Sequence, residues 1–130
     1  MSTFNAIGVA ASGVTVYRKW LDAVSDNIAN IDNVSRTSEN AFQARYVIAQ
    51  EAQDGNGAQV GGVAFGSAKG ILTYDPDSPL ADSRGYIRRP DVDLGDQMAQ
   101  MMMAQRAYQA NLAVVDRAKE SYTAAINLGK

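Results

Sequence analysis

Apolar residues recur every seven positions at both ends of this chain, and no such period runs through the middle. Near the N-terminus the sevens are Ile7, Val14, Leu21 and Ile28, with the offset set Ala10, Tyr17, Val24 and Ile31. A three-four spacing held over four heptads marks a helix that lays one narrow seam along another helix. It predicts a helix over 4–31. Near the C-terminus the sevens are Leu94, Met101, Tyr108, Val115 and Tyr122, with the offset set Met98, Gln105, Leu112, Lys119 and Ile126. Pro90 and the acids Asp91, Asp93 and Asp96 suit the start of that helix, and Gly129 suits its end, which predicts a helix over about 93–128. Gln105 and Lys119 are polar on an otherwise apolar seam, a device that fixes register or oligomeric state and points to more than two helices meeting. Gly8 and Gly13 each cost about 1 kcal/mol of helix stability relative to alanine. The first turns are therefore expected to fray when nothing packs on them.

Between the helices, residues 32–90 hold all three prolines and most of the glycines. QARYVIAQEA, over 43–52, has the β-branched and aromatic content of a strand, and QDGNGAQVGGVAF supplies a glycine-rich turn and a second short strand. A small hairpin follows from that order. YDPDSPLADSRGYIRRP, over 74–90, reads as an extended, turn-rich connector. The predicted organisation is an N-terminal helix over 1–31, a strand and loop block over 32–90, and a C-terminal helix over 91–130. The fold class is mainly α with a small β part, its two long terminal helices paired antiparallel in the manner of a coiled coil.

What such a chain can do chemically is narrowed by what it lacks. The 130 residues allow one core, and a fold of that length buries roughly two thirds of its unfolded surface. Twelve basic residues stand against 14 acidic ones, for a net charge of −2 with no run of like sign, so nucleic acid is not an expected partner. There is no cysteine and no histidine. Disulfides, thiolate nucleophiles, ordinary zinc sites and the commonest general base are thereby removed. Asp75, Asp77 and Asp82 are the one carboxylate cluster, but prolines interrupt their spacing and no glutamate follows where a calcium loop needs one. They read as turn caps. The glycines at 55, 57, 61 and 62 match neither a phosphate loop nor a dinucleotide fingerprint. No catalytic, metal or cofactor site is expected. The N-terminus has no positive charge before Arg18 and does not read as a secretory signal, and no segment is apolar for long enough to span a membrane.

Two details stand out against this background. SDNIANID, Ser25 to Asp32, ends the first apolar repeat with two amides, Asn27 and Asn30. If the helices run antiparallel, these lie near residues 97–101, where they could bond backbone groups at the helix end or on the adjoining segment; alternatively they face solvent and help stop the helix. MAQMMMAQ packs four methionines into six residues, Met98 to Met103. Methionine fills irregular core gaps, and it also suits a surface that docks several different neighbours.

Taken together, Asp26-Asn27-Ile28-Ala29-Asn30-Ile31, the connector from Tyr74-Asp75-Pro76 through Ala81-Asp82 and Gly85-Tyr86 to Pro90-Asp91-Val92, and the helix with Met98, Met102, Ala104, Arg106, Tyr108-Gln109-Ala110-Asn111, Lys119 and Leu128-Gly129 resemble the bacterial flagellar basal-body rod proteins. The resemblance covers nearly the whole chain and is weakest over 33–70. It departs from the family at Ser78-Pro79, at Asp91 and at Tyr122. It implies a non-enzymatic subunit of the proximal rod, which carries torque through the periplasm to hook and filament, exported unfolded by the flagellar type III apparatus. The implied partners are further copies of itself, the rod proteins FlgB, FlgF and FlgG, the basal-body protein FliE, and the export apparatus. The seams and the resemblance together nominate Ile7, Val14, Tyr17, Leu21, Val24, Asn27, Ile28, Asn30, Ile31, Met98, Met101, Met102, Gln105, Tyr108, Asn111, Leu112, Val115, Tyr122 and Ile126 as subunit-packing positions. The residues alone leave open another helical adaptor of a type III system.

Overall fold

The computed structural model describes residues 3–129. Two long helices bracket four strands: α1 (Thr3–Ala29), β1 (Arg45–Glu51), β2 (Ala58–Phe65), β3 (Ile71–Tyr74), β4 (Tyr86–Arg89) and α2 (Leu94–Leu128). The strands form two separate two-stranded sheets, β1 with β2 and β3 with β4. The fold is thus mainly helical with a small β part. Asp93 caps α2, its carboxylate accepting the Asp96 N–H at 2.8 Å, so one of the orphan donors of the first turn is satisfied by a side chain. Helix α1 stops at Ala29, two residues before the apolar repeat does, and Ile31 sits in the turn that follows, its N–H bonded to Ile28 C=O.

The chain divides into two compact units, each drawing on both helices. The first comprises Met1–Leu21, Val47–Gly62 and Met102–Lys130. Within it the helices run antiparallel: the Phe4 ring meets Tyr122 edge-on at 5.1 Å, while further along α1 the Cα of Gly13 lies against Asn111. Gly13 makes that approach possible, because a Cβ there would fall 2.7 Å from Asn111 Oδ1. Ala10, Val16 and Ala104 are buried in this unit. The first hairpin is closed by Ala52 N–H to Gly57 C=O at 3.0 Å, with Gly57 at φ +106°.

The second unit comprises Asp22–Tyr46 and Val63–Met101. Its core is made of Ala23, Val24, Ala41, Ala44 and Ile87, together with two buried amides, Asn27 and Gln97. Val24 and Asn27 are the largest side chains completely removed from solvent. So thin a core means small residues set the spacing, and each buried polar group weighs heavily. Here the structure corrects the sequence reading of 74–90. Its ends are strands: β3 and β4 pair antiparallel in the register Ile71↔Arg89, Leu72↔Arg88, Thr73↔Ile87 and Tyr74↔Tyr86, and Ser35 adds a bridge to Arg88. Four-residue strands are too short for alternation to emerge beside three prolines and a run of aspartates. Gly70, at φ +55°, allows β3 to start where a Cβ would strike the Arg89 carbonyl and Ala41.

Candidate functional site

The residue that organises the second unit is Asn27. Its helical position points its amide at the first residue of β1, where it behaves as a strand neighbour would. Nδ2 donates to Arg45 C=O at 3.0 Å, and Oδ1 accepts the Arg45 N–H at 2.8 Å. The second Nδ2 proton goes to Gln97 Oε1 at 2.9 Å. One side chain therefore ties together the end of α1, the start of β1 and the start of α2. Asn27 is fully buried and Gln97 is 2% exposed, so these bonds form where water cannot substitute for them. The Asp26–Arg45 ion pair beside them, at 2.9 Å, is half exposed on both partners and adds little. Asn30 acts more locally. Its Nδ2 caps the last turn of α1 by donating to Asp26 C=O at 2.8 Å.

The connector is held by a second set of polar groups. Arg88 donates through one guanidinium nitrogen to Lys69 C=O and through the other to Thr37 C=O, and Arg89 pairs with Asp32 at 2.7 Å. Asp82 accepts the Tyr86 N–H at 3.0 Å, the Arg84 N–H at 2.9 Å and the Thr37 hydroxyl at 3.2 Å. The Tyr86 N–H, with help from Arg84 and Thr37, holds its carboxyl below the ordinary aspartate value, against the opposing effect of desolvation. Asp82 is a turn cap. Among the described residues no three metal-ligating side chains come together. The cleft lined by Val16, Tyr17, Trp20, Val47 and Ala49, about 230 Å³, is apolar and presents no set of convergent polar groups.

The nominated packing positions separate by helix. On α1, Val24 and Asn27 are buried, and Ile7, Val14, Tyr17, Leu21, Ile28, Asn30 and Ile31 are half-buried. On α2, Met101, Tyr108, Asn111 and Val115 are half-buried, whereas Met98, Met102, Gln105, Leu112, Tyr122 and Ile126 are exposed. Beside the nominated Asn111, α2 also turns inward Gln97 and Ala104, both fully or nearly fully buried, and the half-buried Ala118. These four are also spaced by sevens. Gln97, Ala104 and Ala118 escape a count of large apolar residues because they are small or polar, and a search for small-residue heptads would have found the alanines. Arg45 gives no sequence signal, since its role is played by its backbone.

Much apolar surface on α2 is left uncovered by the chain itself. Met102, Met103, Leu112, Val114, Tyr122 and Ile126 are each between 40 and 55% exposed in the first unit, and Leu128 is 89% exposed. Among the described residues no helix is long and apolar enough to cross a membrane, so a lipid span does not account for that surface.

Comparison with known proteins gives this geometry a setting. The profile of the family described as flagellar basal body rod FlgEFG protein C-terminal matches residues 83–128. Over the whole of both chains, this chain is 32% identical to the flagellar basal-body rod protein FlgC of Salmonella typhimurium and 33% identical to that of Escherichia coli O6:H1. FlgC of Bacillus subtilis is 27% identical, again over the full length of both.

Proposed function

Since the chain belongs to the FlgC family of flagellar basal-body rod proteins, we propose that the apolar surface left on its helices is the surface by which one subunit holds its neighbours in the rod. It is a structural subunit of the flagellar basal body, and its place is the rod. The family is a structural one and not a class of enzymes.

The observation that carries the packing proposal is the exposed set on α2, Met102, Met103, Leu112, Val114, Tyr122 and Ile126. Each such side chain, if buried by a neighbour, contributes about 1–2 kcal/mol, given that a full burial is worth 1.5–3 and part of the area is already covered. On this reading residues 1–31 and 91–130 form the helical inner layer of the rod, with the block over 32–90 outside it. Copies of this chain, the other rod proteins FlgB, FlgF and FlgG, and FliE are the proposed neighbours. The small core supports export in an unfolded state by the flagellar type III apparatus, because a chain stabilised largely by its neighbours meets the ordering cost only on assembly. Torque transmission then rests on the helix contacts between subunits.

The test is substitution of Met102 and Leu112 by aspartate, singly and together, in a strain dependent on this chain for motility. The expected result is a chain that retains its helical content and is exported, yet fails to enter the rod, so that swimming is lost. Normal swimming of the double variant would overturn the proposal.

A further inference from the structure

We propose that Asn56–Gly57, at the tip of the first hairpin, is a self-modification site at which the backbone nitrogen of Gly57 attacks the side-chain amide of Asn56, at a rate set by a latch on helix α1. The bond from Gly57 N to Asn56 Cγ forms as the Cγ–Nδ2 bond breaks, ammonia leaves, and a five-membered succinimide results. Water then opens the ring at either carbonyl, giving aspartate or isoaspartate.

Of the eight asparagines in the chain, Asn56 alone is followed by glycine. Asn5, Asn27, Asn111 and Asn127 lie within helices, whose backbone holds the following nitrogen away from Cγ. Asn30, Asn33 and Asn40 precede Ile31, Val34 and Ala41, whose side chains hinder the approach. Asn56 is exposed, and among the described residues the Gly57 N–H has no hydrogen-bond partner, so the nucleophile carries no bond to break. Gly57 carries no Cβ to shield its nitrogen from the attacked carbon.

The latch restrains the same residue. Ala58 N–H donates to Ser12 Oγ at 3.0 Å, while that hydroxyl donates to Val9 C=O at 2.6 Å. Gly57 is pressed against the same helix, since a Cβ there would collide with Ser12 Oγ, and its carbonyl accepts the Ala52 N–H. Bringing Gly57 N onto Cγ requires rotation about χ1 and ψ of Asn56, of which the first breaks the bond from Asn56 Nδ2 to Asp54 C=O and the second moves the anchored Gly57–Ala58 peptide. Ser12 therefore slows ring closure while the hairpin is docked. The product places a new carboxylate beside Asp54 and Glu51, and isoaspartate adds a backbone methylene to the turn, so conversion should loosen the latch in return.

The test is incubation of the purified full chain at neutral and mildly alkaline pH, followed by mass analysis of tryptic peptides. The peptide over 46–69 contains Asn56 and no other asparagine. It should show the amide-to-acid mass gain before any other peptide does. Asn56→Gln should abolish that gain, and Ser12→Ala should speed it, both with unchanged helical circular dichroism. Cyclisation at the neighbouring Asp54–Gly55 pair expels water that is later restored, so it leaves mass unchanged and is not confused with this reaction. A gain that appears first in another peptide, or that persists in Asn56→Gln, would overturn the site. An unaltered rate in Ser12→Ala would overturn the latch.

Discussion

Replacing Asn27 by alanine should cost this chain a large part of its stability. The substitution removes three hydrogen bonds at once, two to the Arg45 backbone and one to Gln97 Oε1. Gln97 is 2% exposed, so its oxygen loses its partner without gaining water. That unsatisfied acceptor costs about 1–3 kcal/mol and the two Arg45 bonds about 1 kcal/mol each, for a total of about 3–5 kcal/mol. Small domains hold about 5–15 kcal/mol in all. The assay is urea unfolding of the purified chain followed by far-ultraviolet circular dichroism, with Gln97→Ala and the double variant completing a cycle. Because the two amides bond each other, the double variant should be less destabilised than the sum of the singles, with a coupling of about 0.5–3 kcal/mol. A loss below about 1 kcal/mol for Asn27→Ala, the net worth of a single ordinary hydrogen bond, together with strict additivity, would refute the view that this amide joins three elements.

Gly70→Ala should destabilise by about 2–4 kcal/mol, since a left-handed residue with a Cβ costs about 1 and overpacking 1–3 more; the added atom would lie 2.6 Å from Ala41 Cβ and within reach of the Arg89 carbonyl. Gly8→Ala, where a Cβ meets nothing within 4 Å, should instead stabilise by up to about 1 kcal/mol through helix propensity, and thermal melts of the two variants distinguish the signs. For Asp82, whose folded pKa lies below its ordinary 3.8, the turn it caps is fully supported above that value and loses this support as pH falls through the lower folded value. Carbon-detected NMR titration of the Asp82 carboxyl should therefore give a midpoint below 3.8, and a midpoint at or above it would contradict the cap. Met102→Asp should leave the monomer within about 0.5 kcal/mol of the parent, as exposed substitutions do, while removing the chain from the rod in a fractionation assay.

What could be read from the sequence depended on how much each residue advertised its surroundings. The α1 seam was legible because Ala10 and Val24 are both apolar and buried, and the position of Asn27 beside Gln97 followed from antiparallel pairing alone. On α2 the same count led to Met101, Tyr108 and Val115, which are half-buried, and to Met98, Gln105, Leu112 and Ile126, which are exposed, while it passed over the buried Gln97 and Ala104. Hydrophobicity reports which residues avoid water, and not which molecule shields them. In a subunit whose neighbours supply part of its cover, the inward face can be the one with small residues, because two helices approach closely only over small side chains. Val16 and Ala23 were missed on α1 for a related reason, since its buried face is wider than a two-position seam. The β3–β4 pair was hidden by brevity, and the contribution of Arg45 by its residing in the main chain.

The central claim is that the exposed methionines of α2 are covered by neighbouring subunits. Methionine oxidation reads this directly, because the thioether is converted to sulfoxide only where oxidant reaches it. Mild peroxide treatment of the purified chain and of isolated basal bodies, followed by peptide mass analysis, compares the two states. Met102 and Met103, 55% and 54% exposed in the free chain, should oxidise readily there and be strongly protected in the rod. Equal oxidation of both residues in the two states would contradict the claim.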